Sequence, residues 1–310
     1  MDAKMEQLMR SAQAGRIVHA LLFAGPHGTG KRSAAALFAR AALCQSADAD
    51  KPCGVCPACK KCLAGTHPDV HVVAPEKSTI KVEQIRALIE RLSLAPYEGG
   101  RKIAVIERAD RMGESAQNAL LKTLESPTGD VLFILLTEAP GALLPTVVSR
   151  CLQLRFRCLE AADCARVLEG RGISPERAKI AAALAQGSVG RALEIEADAE
   201  YLPLRERVVS ALELIRAPED VARALARMGD VKERAADILE MMELWARDLM
   251  RVQNGARPLD AASDARLRAS RYSGSALLQR VMLARRQLEA NLSWTNVLES
   301  MDFELALGRA

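Results

Sequence analysis

Gly25-Pro26-His27-Gly28-Thr29-Gly30-Lys31 lies between an apolar run and a run of helix formers, the setting in which a Gly-rich loop holds phosphate. Glycines at 25, 28 and 30 let backbone N–H groups turn inward, and the positive end of the following helix adds to the field. Lys31 is placed to reach the β- and γ-phosphates of ATP, or the β-phosphate of ADP. The pattern asks next for Ser or Thr, whose hydroxyl ligates Mg²⁺, but the chain has Arg32. A guanidinium has five donors and no lone pair for a metal. A second apolar run, Ile103-Ala104-Val105-Ile106, ends at Glu107-Arg108, where a hydrolytic site would show two acids. Glu107 could still hold Mg²⁺. Arg108 stays cationic at any working pH and can neither orient nor deprotonate water. The loop therefore reads as a structural turn or, failing that, as a nucleotide site without turnover, and a nucleotide titration separates the two.

A second group is Cys44, Cys53, Cys56, Cys59 and Cys62, spaced C-x8-C-x2-C-x2-C-x2-C, five of the chain's eight cysteines. A two-residue gap brings two thiolates onto one tetrahedral ion, and four thiolates complete a structural Zn²⁺ site. At about 100° per helical residue, three successive members of the run spread over about 120° and four over about 180°. Cys44 is thus the natural extra ligand, and turn geometry leaves open both Cys53, Cys56, Cys59 and Cys56, Cys59, Cys62. In a reducing compartment such clustering favours a metal over disulfides. Cys151, Cys158 and Cys164 lie apart and read as buried residues. His19, His27, His67 and His71 are scattered and read as packing or surface residues.

The elements that must position these groups alternate in the first half. Strands are expected over 19–24, 69–74, 102–107 and 131–137, and helices over 31–43, 82–92 and 115–124. That rhythm means parallel pairing in an α/β sandwich. An α/β domain over 1–158 would carry the zinc module at 44–62. Beyond it the pattern is helical. Helices over 161–169, from Ser174-Pro175-Glu176 to Gly187, and over 189–197 suit a small lid domain at 159–200. The segment 201–310 reads as an all-helical domain, with helices near 204–216, 218–228, 231–254, 273–290 and from about 295. The stretch 254–264 reads as its loosest part.

Bulk properties narrow the class. Of 310 residues, 49% are hydrophobic but only 3% aromatic, so Leu, Ala, Val and Ile must fill the cores. A formal charge of +4 without a basic stripe argues against a chain that grips nucleic acid alone. No stretch approaches the ~20 apolar residues of a membrane span, and Lys4, Glu6 and Arg10 interrupt any signal-like pattern. A cytoplasmic protein with no membrane partner is expected.

These parts, in this order, resemble the clamp-loader subunits of bacterial DNA polymerase III, members of the AAA+ class of P-loop NTPase-like proteins. The resemblance rests on the run from His19 to Pro26 (HALLFAGP), the cysteine cluster, Gly65 to Asp69 (GTHPD), Asn118 to Glu125 (NALLKTLE) and Ser149-Arg150-Cys151. It is strong over residues 15–195 and loose over the C-terminal helices. It implies zinc on Cys44, Cys53, Cys56 and Cys59, with Cys62 surplus. It implies that Arg150 points toward the γ-phosphate held by a neighbouring subunit, as an arginine finger worth ~10³–10⁵ in rate. Thr137 and Arg191 match the places where AAA+ proteins put sensor residues, and 201–310 matches the collar that joins five subunits. The departures at Arg32 and Arg108 point to a member without hydrolysis of its own. Such a member works beside gamma/tau and delta subunits while the assembly loads a sliding clamp on primed DNA. The rivals are a gamma/tau-like motor that hydrolyses ATP, and a nucleotide-sensing, DNA-binding AAA+ protein outside replication. Turnover by the isolated chain would favour the first, and salt-sensitive DNA binding by the monomer the second.

Overall fold

The computed structural model describes residues 3–13, 18–46, 51–98, 100–229, 232–260, 263–290 and 292–306. The chain divides into two compact units, Met1–Cys158 and Leu159–Ala310. In the first, α1 (Ala3–Gln13), β1 (Ala20–Ala24), α2 (Lys31–Leu43) and α3 (Pro57–Leu63) are followed by β2 (Val70–Val73), α4 (Val82–Ser93) and β3 (Lys102–Ile106). Then come α5 (Glu114–Glu125), β4 (Val131–Thr137), α6 (Pro145–Val148) and β5 (Leu152–Arg155).

All five strands pair in parallel, in the order β2-β3-β4-β1-β5. Leu22 stands opposite Leu135 of β4 on one side and Gln153 of β5 on the other. The inner strands β1, β3 and β4 are buried along their whole length, as parallel strands covered on both faces must be. Their side chains alternate between two cores. Leu22, Ala104, Ile106, Phe133 and Leu135 pack with Ile85 and Leu88 of α4 and Leu120 and Leu124 of α5. Leu21, Phe23, Ile103, Leu132 and Ile134 face the other way, onto Ala35 and Phe38 of α2. The sheet therefore fixes the ends of β1, β3 and β4 side by side, and the loops that leave them carry the candidate site.

Among the described residues the second unit is wholly helical. Its helices are α7 (Ala161–Glu169), α8 (Pro175–Leu184), α9 (Val189–Ala197), α10 (Tyr201–Leu214) and α11 (Val221–Met228). They are followed by α12 (Ala235–Gln253), α13 (Asp264–Ala269), α14 (Gly274–Glu289) and α15 (Trp294–Ala306). Pro175 opens α8 at its first position, where a missing N–H costs nothing. The buried side chains of α7–α9, such as Leu168, Ala182 and Ile195, join those of α10, α12, α14 and α15 in one continuous core.

Several elements differ from the sequence reading. A fifth strand, β5, follows Ser149-Arg150-Cys151, and α3 and α13 are further helices. α10 begins at Tyr201, because Pro203 falls in its first turn, where proline is tolerated. α12 starts at Ala235 after a 3₁₀ turn at Lys232–Arg234, and positions 230 and 231 lie outside the described residues. The stretch expected to be loosest is tied down in part. Asp248 accepts hydrogen bonds from the N–H groups of Leu259 (2.7 Å) and Asp260 (3.2 Å), while 261 and 262 also lie outside the description. Among the described residues, no helix is long and apolar enough to cross a membrane.

Candidate functional site

β1 ends at Ala24, the Gly-rich loop follows, and Lys31 opens α2. Gly25 donates its N–H to the Thr137 carbonyl (3.1 Å), tying the loop to the end of β4. A Cβ on Gly25 would lie 2.2 Å from the Phe156 carbonyl oxygen, so only glycine lets the chain past β5 there. Gly30 has φ +88°, a left-handed turn that glycine adopts without strain. Lys31 is buried and turns back on the loop, its Nζ donating to the carbonyls of Gly25 (2.7 Å) and Pro26 (2.6 Å). Burial lowers its pKa, with the charges of Glu138, Asp110 and Cys158 opposing.

The two departures from a hydrolytic site meet in space around Glu107. Arg32 donates from Nε to Glu107 Oε1 (2.6 Å) and from a terminal nitrogen to Oε2, a two-pronged grip. The hydrogen bond to Glu107 raises the Arg32 pKa against the effect of burial. Glu107, the acid left for Mg²⁺, thus has both oxygens engaged by a fixed cation. Arg108 is exposed and carries φ +51°, an uncommon backbone state for a side chain of its size. Thr137, fully buried, donates to Asp110 Oδ1 (3.0 Å) and accepts from the Ala139 N–H (3.2 Å). His27 Nδ1 lies 3.2 Å from Glu138 Oε1. These donors do not fit Mg²⁺-nucleotide. The metal's hydroxyl is absent and its carboxylate is paired.

The cysteines do fit a metal. The sulfurs of Cys44, Cys53, Cys56 and Cys59 all lie within 4.8 Å of one another, and four thiolates can hold a metal ion at the centre of such a group. Cys44 follows the last turn of α2, Cys56 precedes α3, and Cys59 is wholly buried on α3. The sulfurs of Cys44, Cys53 and Cys56 accept backbone N–H groups of Cys53, Cys56 and Cys59, each at 3.4 Å. At Cys56 burial pushes the thiol up, but the Cys59 and Gln45 backbone donors and the neighbouring thiols outweigh it and bring its pKa to about 6. Burial pushes Cys59 up to about 12. Cys62 stands outside the four, and burial pushes its pKa up to about 11. Glu98 pairs with Lys61 of α3 and lies 3.5 Å from His67 Nε2. The Asp69 carboxylate accepts the N–H groups of Tyr97 (2.7 Å) and Glu98 (3.0 Å). His67 Nδ1 accepts the Asp69 N–H (3.2 Å), which puts the ring proton of the neutral imidazole on Nε2, facing Glu98.

Arg150 follows the short helix α6. It donates to the Thr146 carbonyl (2.8 Å) and pairs with Glu125 at the end of α5. Both side chains keep substantial exposure, 33% and 49%. The base of α6 is pinned by Gln117, buried on α5. Its Nε2 donates to the carbonyls of Met112 (3.0 Å) and Ala142 (3.2 Å), and its Oε1 accepts the Leu144 N–H (2.6 Å).

A family model described as "DNA polymerase III, delta subunit" matches residues 1–160. The Bacillus subtilis DNA polymerase III subunit delta' is 31% identical over 316 aligned positions, which take in 98% of this chain and 95% of that protein. The chain belongs to the delta-prime family of DNA polymerase III subunits. The Pseudomonas aeruginosa delta' subunit is 43% identical over 48% of this chain and 46% of its own length. A DNA polymerase III gamma subunit-related protein of Thermotoga maritima gives a TM-score of 0.45 at 16% identity, covering 97% of this chain and 98% of that one.

The second unit of this delta-prime family member holds the remaining candidate. Arg191, on α9, contacts Glu240 (3.2 Å from Nε), Asp237 (3.0 Å) and Glu194 (3.2 Å), and lies over the Tyr201 ring at 5.4 Å. Burial would lower its pKa, but the Glu240 and Asp237 carboxylates outweigh it and raise it. Sequence reasoning missed Gln117, Asp110 and Glu125 as partners. The first and last stand in or beside the Asn118 to Glu125 block that was singled out, so the block marked the place and not the contacts.

Proposed function

We propose that this chain is a clamp-loader subunit that does not hydrolyse ATP itself and lends Arg150 to the ATP site of a neighbouring gamma or tau subunit. The observation that carries this reading is the Arg32–Glu107 pair. The position that should ligate Mg²⁺ is a cation, bonded to the acid that should help it. A gamma/tau-like motor would need to hold Mg²⁺ despite that pair and to position water without an acid at 108.

Arg150 suits the donated role on physical grounds. Its planar, permanently charged fork matches a phosphoryl group whose oxygens gain charge. Its present partner is a half-exposed carboxylate in a pair worth only about 0.2–1 kcal/mol, which a more highly charged phosphate can replace. The pairing with Glu125 also favours a second reading, in which Arg150 merely joins α6 to α5. Zn²⁺ on Cys44, Cys53, Cys56 and Cys59 would supply a structural crosslink between the end of α2 and α3. Thr137 and Arg191, at the sensor positions, are held by Asp110 and by Glu240 with Asp237. They serve here as structural ties. In this reading 159–200 is the lid and 201–310 the collar that meets gamma/tau and delta subunits, with clamp and primed DNA engaged through the assembly in the cytoplasm.

The test is reconstitution with gamma/tau and delta subunits and measurement of DNA-dependent ATP turnover. Arg150→Ala should leave assembly intact and lower turnover at the adjoining site by orders of magnitude. Unchanged turnover would reject the donated arginine, and ATP hydrolysis by the isolated chain would reject the non-hydrolysing role.

A further inference from the structure

The Gly-rich loop implies a nucleotide carried with Mg²⁺, and the residues present disagree with that ligand at one corner only. The cradle itself is intact: Gly28 and Gly30 keep left-handed backbone at φ +71° and +88°, and Lys31 lies against the loop it would share with phosphates. The changed corner is the space between the first turn of α2 and the end of β3. There Arg32 takes both oxygens of Glu107.

We propose that Arg32 is an internal cation that stands in for Mg²⁺ and shuts this loop to Mg²⁺-bound nucleoside di- and triphosphates, a closure that one side chain can undo. The proposal rests on the reading that this chain does not turn over ATP in its own loop.

Three features support it. Glu107 cannot swing away with its backbone, because its N–H is bonded to the Val73 carbonyl at 2.8 Å. Its side chain is 14% exposed whereas that of Arg32 is 78% exposed, so the guanidinium covers the acid from the solvent side, the direction from which a hydrated ion would arrive. Mg²⁺ demands a near-octahedral shell of oxygens and is usually held by one or two carboxylates together with phosphates. A cation already bonded to both carboxylate oxygens repels it and offers no lone pair in exchange. Replacing Arg32 by threonine makes two changes at once. It frees Glu107 and places a hydroxyl on the first turn of α2. Arg108 is untouched, so nucleotide binding would return without hydrolysis.

The experiment is calorimetric titration of the full chain with ADP and with ATP, in Mg²⁺ and again in EDTA. The unaltered chain should show no binding heat for either nucleotide in Mg²⁺. Arg32→Thr should bind about tenfold or more tightly in Mg²⁺ than in EDTA, and adding Glu107→Gln should remove that gain. Arg32→Ser serves if the threonine variant does not fold, as judged by its circular-dichroism melt. Binding of ADP or ATP by the unaltered chain in Mg²⁺, or a folded Arg32→Thr without a magnesium gain, overturns the internal cation. ATP hydrolysis by the unaltered chain would instead sink the non-hydrolysing reading beneath it, so the two failures look different.

Discussion

Gly25 and Gly30 stand five positions apart in the same loop, yet alanine should harm them unequally. At Gly25 the added carbon would sit 2.2 Å from the Phe156 carbonyl oxygen and 2.9 Å from Phe156 Cβ, so this gap must widen past 3.0 Å. Phe156 resists, because its N–H donates to the Ala24 carbonyl at 2.7 Å and its ring lies 5.2 Å from that of Phe23. Overpacking of this kind costs about 1–3 kcal/mol, and weakening the hydrogen bond adds about 1 kcal/mol. At Gly30 nothing lies within 4 Å, so Gly30→Ala meets only the left-handed backbone penalty of about 1–2 kcal/mol. Restricting the unfolded chain offsets both by the same few tenths to 1 kcal/mol. Urea unfolding of the full chain, followed by far-UV circular dichroism, reads the difference. With a slope of about 2 kcal/mol per molar urea, Gly25→Ala should lower the midpoint of the α/β unit by roughly 0.5–2 M and Gly30→Ala by clearly less. Equal shifts, or a larger one for Gly30→Ala, would refute the steric argument.

Gln117→Leu should strip partners from the Met112 and Ala142 carbonyls and the Leu144 N–H, lowering stability by about 2 kcal/mol; a melt that matches the parent protein would count against it. Changing Cys59→Ser, or adding a chelator strong enough to remove an ion from the four thiolates, should open α3 to protease. Hydrogen exchange should meanwhile show β1 and β4 still protected. His71 adds a pH effect, since burial, with Lys102 and Arg91 nearby, holds its pKa below the ordinary 6.5. The unfolded chain therefore binds a proton that the folded one does not, and stability from this source falls as pH drops below 6.5 toward the folded value. His71→Asn should flatten that part of a stability–pH curve measured by urea unfolding.

Much of the architecture was legible because period and burial agree. The run Val131–Leu136 is apolar throughout and, with Thr137, forms the central strand β4; the limits of α2, α7 and α9 follow from their flanking glycines, serines and acids. β5 escaped notice because only Leu154 of its four residues is buried, so the hydrophobic signal is too thin to separate from a loop. α3 is masked by its cysteines, whose two-residue gaps suit tight turns as well as the helix that Pro57 opens. The cysteine set was readable from spacing only down to a choice of triplets. Packing of Cys44 and Cys53 against the start of α3 makes the difference, and leaves Cys62 on the far part of that helix. Arg32 and Arg108 were each legible as departures. That Arg32 reaches Glu107, 75 residues away, is a product of strand order and could not be read from either position alone.

In α15, Trp294, Val297, Leu298 and Met301 repeat at helical spacing and complete the core to which Leu168 of α7 and Ala182 of α8 contribute. Vectorial synthesis feels that arrangement. The five-stranded sheet has all its strands once residue 155 has left the ribosome, and it can settle early. The helical half must wait for α15, and until then it keeps a greasy seam open to the surrounding water.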